Sequence, residues 1–342
     1  MAYAGVLDDI KKAVRLEKPG RLPVFACSEE FDVRMAGKIY CDYNSDAKVM
    51  SGCQIESIKK YDYDWAWLQV DDCIEFEVLG VGCKGGGNIL PATCDYLPPT
   101  AETLKGLKMP DPEKDGRMPV LLEAISRIKE ELGDTVCVTG RLAAPFSSVS
   151  LLYGMTETSM LMFDNPELIH ETNKFFVEMQ TMFGIAQIKA GADAIWVGDC
   201  NASGHLISVD QYREFALGPA KACHDAYREY GGLSIYHASE ESIPHMRAQI
   251  ESGFDVLSCG PGVEITDAKE AVGGEICIVG NIDPIKCLLE KDAEAVYEEA
   301  KRIAAIGGKS GGFLFNSGEM IPRDVPEENM IAMVRGARDA VL

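Results

Sequence analysis

Gly231-Gly232-Leu233-Ser234-Ile235-Tyr236-His237-Ala238-Ser239-Glu240-Glu241 is the stretch that decides the fold. The glycine pair stops the amphipathic run 209–230, and a short apolar segment follows it. Residues 233–236 read as a buried strand, with His237 at its C-terminal end and Ala238-Ser239-Glu240-Glu241 opening the next helix. The same unit recurs outward in both directions. Strand candidates fall at 22–26, 65–70, 136–140, 194–198, 233–236, 254–257, 275–280 and 312–315, each rich in aliphatic or aromatic residues. Between them lie helical patterns at 119–132, 166–190, 209–230 and 293–306, and Asp164-Asn165-Pro166 supplies a clear helix start. Buried strands alternating with helices point to an α/β protein, a single (β/α)8 TIM barrel. A doubly wound open sheet is the alternative, but no G-x-G-x-x-G follows the first strand. With no internal repeat and no linker, residues 1–342 read as one domain.

The 342 residues carry 33 Lys and Arg against 54 Asp and Glu, a net charge of −21. That excess argues against a nucleic-acid or anionic-membrane surface, because binding phosphate needs clustered cations. No apolar run approaches the roughly 20 residues of a membrane span. The N-terminal residues lack the basic start of a signal peptide, so a cytoplasmic location is expected. None of the twelve cysteines forms a C-x-x-C pair, which removes zinc ribbons and ferredoxin-type clusters. Cys137 and Cys277 sit inside apolar runs, where a thiol acts as a small core residue. So many free thiols suit a reducing interior, such as that of an anaerobe.

After the second strand, residues 75–82 alternate like a strand, Lys84-Gly85-Gly86-Gly87-Asn88 supplies turn residues, and 89–96 resumes. This reads as a hairpin inserted over the barrel mouth. The glycines do not read as a phosphate cradle, since no helix and no G-K-[ST] follows.

In such a barrel the chemistry sits at the C-terminal strand ends. Those ends carry Glu29, Asp71, Asp72, Arg141, Asp199, His237, Ser239, Cys259, Asn281, Asp283, Asn316 and Glu319. Converging charges of this kind need pairing, water or a metal. His237 is the most informative histidine, with a core histidine bonded to a neighbouring strand end as the other reading. His170, His224 and His245 lie in helical patterns and read as structural or surface groups, and His205 lies in a loop that could line the mouth. Asp71 and Asp72 are adjacent, so at most one of them faces the interior.

These residues carry a family resemblance along almost the whole chain. Gly140-Arg141-Leu142-Ala143-Ala144-Pro145-Phe146, Tyr153-Gly154, Gly198-Asp199, Tyr236-His237, Gly280-Asn281-Ile282-Asp283-Pro284 and Gly318-Glu319-Met320-Ile321-Pro322 together resemble the uroporphyrinogen decarboxylase superfamily. Within it, the chain is most similar to the corrinoid-dependent methyltransferase branch. The decarboxylase's N-terminal arginine motif corresponds here to the acidic Phe25-Ala26-Cys27-Ser28-Glu29-Glu30-Phe31-Asp32, which would repel a polyanion. Asp72 stands where that enzyme has its pyrrole-binding acid. Thiol-methylating relatives hold zinc through an H-x-C…C pattern. Here His237, Ser239 and Glu319 occupy those positions, so the motif reads H-x-S…E.

The resemblance therefore implies zinc ligated by His237 and Glu319. A third ligand is sought among Asp199, Glu240 and Cys259, with Asp199 ranked first. Catalytic or positioning roles fall to Asp72, Arg141 and Tyr153, and cofactor-binding roles to Asn281 and Asp283. Replacing thiolates by a carboxylate leaves the metal harder and better at polarising oxygen. The expected reaction moves methyl from an oxygen-bound small-molecule donor, such as an aryl methyl ether, to Co(I). The corrinoid (cobalamin) belongs to a separate corrinoid protein, because this chain has no D-x-H-x-x-G motif. The alternatives are a methylcobamide-to-thiol methyltransferase, a metal-free decarboxylase and a non-catalytic docking barrel. Oligomeric state stays open, a homodimer included.

Overall fold

The computed structural model describes residues 3–341. Its centre is a curled, wholly parallel sheet of seven strands, giving a TIM-barrel-like α/β fold. The strands are β1 (Trp65–Trp67), β4 (Cys137–Ala143), β5 (Ala194–Gly198), β6 (Leu233–Glu240), β7 (Val256–Cys259), β8 (Cys277–Ile282) and β9 (Phe313–Ser317), hydrogen-bonded in that order. A separate hairpin pairs β2 (Gly82–Gly86) with β3 (Ile89–Asp95).

The strand expected at 22–26 is reduced to one parallel bridge between Val24 and Phe315. The Phe25 amide donates to the Phe315 carbonyl, and the Asp64 amide donates to the Val24 carbonyl. This segment thus lies between the two edges of the sheet without forming a regular strand. Pro23 has no amide to give the ladder. The inserted hairpin is shorter than the sequence implied. Residues 75–79 turn away as loop and a helical turn, because Glu75 is drawn into the interior by Arg141.

Side-chain alternation sorts the sheet into two faces. Phe25, Trp65, Trp67, Cys137, Trp196, Ile235, Val256, Cys277, Val279 and Leu314 form the inner cluster, and Val6, Ile10 and Ala13 of the helix Val6–Val14 join it. The three tryptophans pack ring on ring: Trp65 and Trp67 are stacked, and both meet Trp196 edge-on. Alternate residues face the surrounding helices and join the larger outer core. Two further residues along β5, β6 and β7, the inward positions are Gly198, His237 and Ser258. A polar layer therefore begins where the apolar filling stops.

The helix expected at 209–230 runs as Val209–Gln211, a wide turn Tyr212–Ala216, and Leu217–Glu229. Asn173 Nδ2 donates to the Phe215 carbonyl at 2.8 Å, satisfying an acceptor within the loosened turn. None of the helices among the described residues is long and apolar enough to cross a membrane.

Candidate active site at the strand ends

The strand ends enclose a cavity of about 280 Å³. Trp67, Gln69, Asp72, Arg141, Trp196, Cys200, His237 and Glu319 are among the residues that line it. Its volume lies at the small end of ligand pockets.

His237 is aimed into this cavity by an irregularity of β6. The β6–β7 register shifts between Tyr236 and Glu240, and Ser239 adopts φ +50° inside the shifted segment. A bulge of this kind re-aims side chains at sites. It also extends the strand to Glu240, past the point where the sequence placed a helix start. His237 Nδ1 lies 2.8 Å from Ser258 Oγ, and Trp196 covers its ring at 4.6 Å. With Nδ1 engaged, Nε2 faces the cavity, 3.6 Å from Glu319 Oε1 and 3.4 Å from Ser239 Oγ. Burial lowers the imidazole pKa against the opposing pull of Glu319 and Asp72, which favours the neutral ring. Glu319 Oε2 accepts the Met320 amide at 3.2 Å, so Oε1 is the oxygen turned to the histidine.

The Asp71–Asp72 pair divides as strand geometry requires. Asp71 is buried, held by the Arg117 guanidinium, Asn44 and the amides of Cys73 and Ile74. Asp72 enters the cavity and meets Arg141 Nη2 at 2.7 Å. Arg141 itself is consumed by its neighbours. Nε donates to Gln69, Nη1 to the Asp71 carbonyl and Glu75, and Nη2 to Asp72. Its backbone is clamped by Gln187, which accepts from the Arg141 amide at 2.8 Å and donates to its carbonyl at 3.0 Å. A Cβ at Gly140 would stand 2.1 Å from the Gln187 oxygen, so only glycine admits this clamp. Arg141 is a positioning residue that holds Asp72 and Glu75; it has little left for a substrate carboxylate.

Several expected site residues lie elsewhere. Asp199 follows the outward parity of β5, where Ser147 and the Tyr236 hydroxyl donate to it at 2.7 and 2.6 Å. Burial pushes its pKa up to about 6 against those hydrogen bonds. It cannot join His237 and Glu319. Glu240 is likewise outward and buried, accepting from Gly204, Ser242 and Gln249. Cys259 is buried, with its sulfur near the Gly260 carbonyl. The Tyr153 hydroxyl is spent on Thr172 at 3.2 Å in the helical layer. Asn281 ties the loop after β7 by donating to the Gly260 and Val263 carbonyls, at 2.9 and 2.7 Å. Asp283 caps the turn Pro284–Leu289 through the Ile285 and Lys286 amides. None of these lines the cavity. Among the cavity residues that sequence reading missed are Gln69, Ser147, Asn201 and Cys200, the last one position after Asp199. No signal in the sequence marked this cysteine, because strand alternation stops at Gly198 and Cys200 begins a helical turn. Asp199→Asn is accordingly expected to leave metal content unchanged while lowering the melting temperature, measured by elemental analysis and a thermal melt.

Glu29, expected at the mouth, is fully buried with neither carboxylate oxygen partnered, and burial raises its pKa well above the usual range. Its neighbour Asp32 is pushed up to about 7 by burial, despite hydrogen bonds from Ser28 and Gln54. The folded chain holds this proton more tightly than the unfolded one. Stability from this site is therefore greatest below about pH 4 and falls as pH rises to about 7. Asp32→Asn is expected to match the parent in melting temperature at pH 4 and exceed it at pH 8, by roughly 1–3 kcal/mol in stability.

Residues 7–340 match the family model described as uroporphyrinogen decarboxylase (URO-D). The chain belongs to the uroporphyrinogen decarboxylase family. Among curated relatives in that family, the uroporphyrinogen decarboxylase of Carboxydothermus hydrogenoformans is 26% identical over 340 residues, covering 94% of this chain and 93% of that one. The enzyme of Actinobacillus pleuropneumoniae is also 26% identical, over 80% of this chain and 78% of its own. In three dimensions the fold is similar to a methyltransferase from Methanosarcina mazei, with TM-score 0.87 and 21% identity over 97% of this chain and 98% of that one. A B12-independent methionine synthase from a Shewanella species is a more distant likeness, with TM-score 0.56 and 11% identity over 85% of each chain.

A metal in this site must be held by the residues that converge there. Two ligands of one tetrahedral zinc, each about 2.1 Å from it, stand about 3.4 Å apart. His237 Nε2 and Glu319 Oε1, at 3.6 Å, fit that edge. Among the described residues, no three His, Cys, Asp or Glu side chains already converge on one point. The pair fits an ion; the three-residue set with Asp199 does not.

Proposed function

We propose that this chain is a corrinoid-dependent methyltransferase. It moves a methyl group from an oxygen-bound donor, an aryl methyl ether or similar, to the Co(I) corrinoid of a partner protein. The observation that carries the reading is the meeting of a neutral, Ser258-oriented His237 and the free oxygen of Glu319 in a small, tryptophan-walled cavity. Zinc bound by this pair supplies Lewis acidity toward the donor oxygen. The remaining work belongs to the chain. Trp67 and Trp196 offer flat apolar walls for one ring, and Asp72 offers a carboxylate to a hydroxyl or cationic group of the donor. The CH3–O bond breaks as the CH3–Co bond forms, and the leaving oxygen takes a proton from solvent through the open mouth. The Methanosarcina mazei protein of similar fold is named a methyltransferase, which supports this class of reaction.

The names of the curated relatives favour a second reading, decarboxylation of a tetrapyrrole acid. Against it stand the cavity's small volume and the acidic character of its charged groups. Its lining arginine is already engaged by Glu75 and Asp72. The test incubates zinc-loaded protein with 2-methoxyphenol and a reduced corrinoid protein, following the methyl-Co(III) spectrum and free catechol. Both should appear together. Absence of demethylation across a panel of methoxyarenes, with CO2 release from uroporphyrinogen, would replace the proposal by the second reading.

A further inference from the structure

One corner of the cavity holds a thiol that no role described so far uses. Cys200 begins the helical turn Cys200–Ala202 directly after β5. It is the cavity's one lining cysteine among the described residues; eight others are buried in packing, and Cys41, Cys83 and Cys94 lie outside the cavity wall. The Cys200 sulfur stands 3.8 Å from Ser239 Oγ, itself 3.4 Å from His237 Nε2. Three strand ends thus place an imidazole nitrogen, a free carboxylate oxygen and a thiol on the wall of one cavity, with the thiol not yet converged on the other two. Ser239, held at positive φ by the β6 bulge, sits between the thiol and the imidazole.

Cys200 is exposed to the cavity, so its sulfur is open to an entering ion. A coordinating thiol is deprotonated outright. Exchange between staggered χ1 wells carries a cysteine sulfur by about 3 Å, which re-aims it within the cavity. The Nδ1 contact to Ser258 is the kind of outer partner that orients a ligating histidine.

We infer that Cys200 is the third protein ligand of a divalent cation held by His237 and Glu319, with the fourth position open to the cavity. This rests on the metal reading of the site proposed above. Each ion bound exchanges for the one proton of the Cys200 thiol, which leaves to solvent. The resulting nitrogen, oxygen and sulfur set is harder than a site with two thiolates, yet still selects zinc or cobalt over magnesium.

The test is an anaerobic Co(II) titration of the metal-stripped full-length protein, followed by absorbance. The parent should bind one Co(II) per chain with a near-ultraviolet thiolate-to-cobalt band. Cys200→Ser should lose the band and bind at least 10-fold more weakly. In parallel, zinc should protect Cys200 of the unaltered chain from iodoacetamide, read by peptide mass spectrometry, and His237→Ala should abolish that protection. Cobalt bound without the band, a band that persists in Cys200→Ser, or Cys200 alkylated at an unchanged rate with zinc bound would each overturn the assignment while leaving the His237–Glu319 pair standing. No metal bound by the parent would remove both.

Discussion

Arg141→Met is expected to destabilise the fold by about 3–5 kcal/mol, because it leaves the Glu75 carboxylate buried without its cation. Glu75 is fully buried, and Arg141 is 4% exposed. Burial pushes the Glu75 pKa up, with Arg141 the main opposing influence. Glu75 also accepts from the Ala143 amide and Gln180, so the ion pair ties the segment after β1 to β4 and to the long helix Pro166–Ala190. A thermal melt should fall by roughly 4–7 °C. The double variant Glu75→Gln with Arg141→Met should recover most of that loss, since no uncompensated charge remains. A single variant with an unchanged melt would show that the pair is not the structural tie described here. The same geometry explains why this arginine does not mark a polyanion site.

The second large effect falls on turnover. His237→Ala and Glu319→Ala are each expected to lower methyl transfer by at least about 100-fold, the scale of several kcal/mol of charge stabilisation at a departing oxygen. Because both residues act on one ion, the double variant should be little worse than the worse single one. The melting temperature of Glu319→Ala should stay close to the parent's, whereas His237→Ala also loses the contacts to Ser258 and Trp196 and should melt somewhat lower. Steady-state kinetics with a methoxyarene, alongside metal content by elemental analysis, checks both points. Additive losses in the double variant would mean two independent roles in place of a shared one.

Much of this was legible from residue order. The 233–237 segment announced a strand that carries a histidine, though β6 runs on to Glu240, and β5 lies at 194–198, as its apolar run indicated. Strand-end positions supplied a list of polar candidates, and the family resemblance singled out Asp72, His237 and Glu319 from it; these three line one cavity. What sequence could not supply was parity after the strands end. Asp199 and Cys200 are adjacent, and only the turn geometry shows that the acid faces the helices while the thiol faces the cavity. Nor could it show that Tyr153 and Asn281 spend their polar atoms on Thr172 and on a loop. The hairpin was mis-measured for a related reason. Alternation over 75–79 mimics a strand, whereas Glu75 is pulled inward by a buried arginine 66 positions away in the chain.

Diffraction recorded on both sides of the zinc absorption edge, from crystals grown with zinc, tests the metal-assisted reading most directly. A single anomalous peak about 2 Å from both His237 Nε2 and the Glu319 carboxylate is expected. A cavity without such a peak, or an ion held by other side chains, would contradict it.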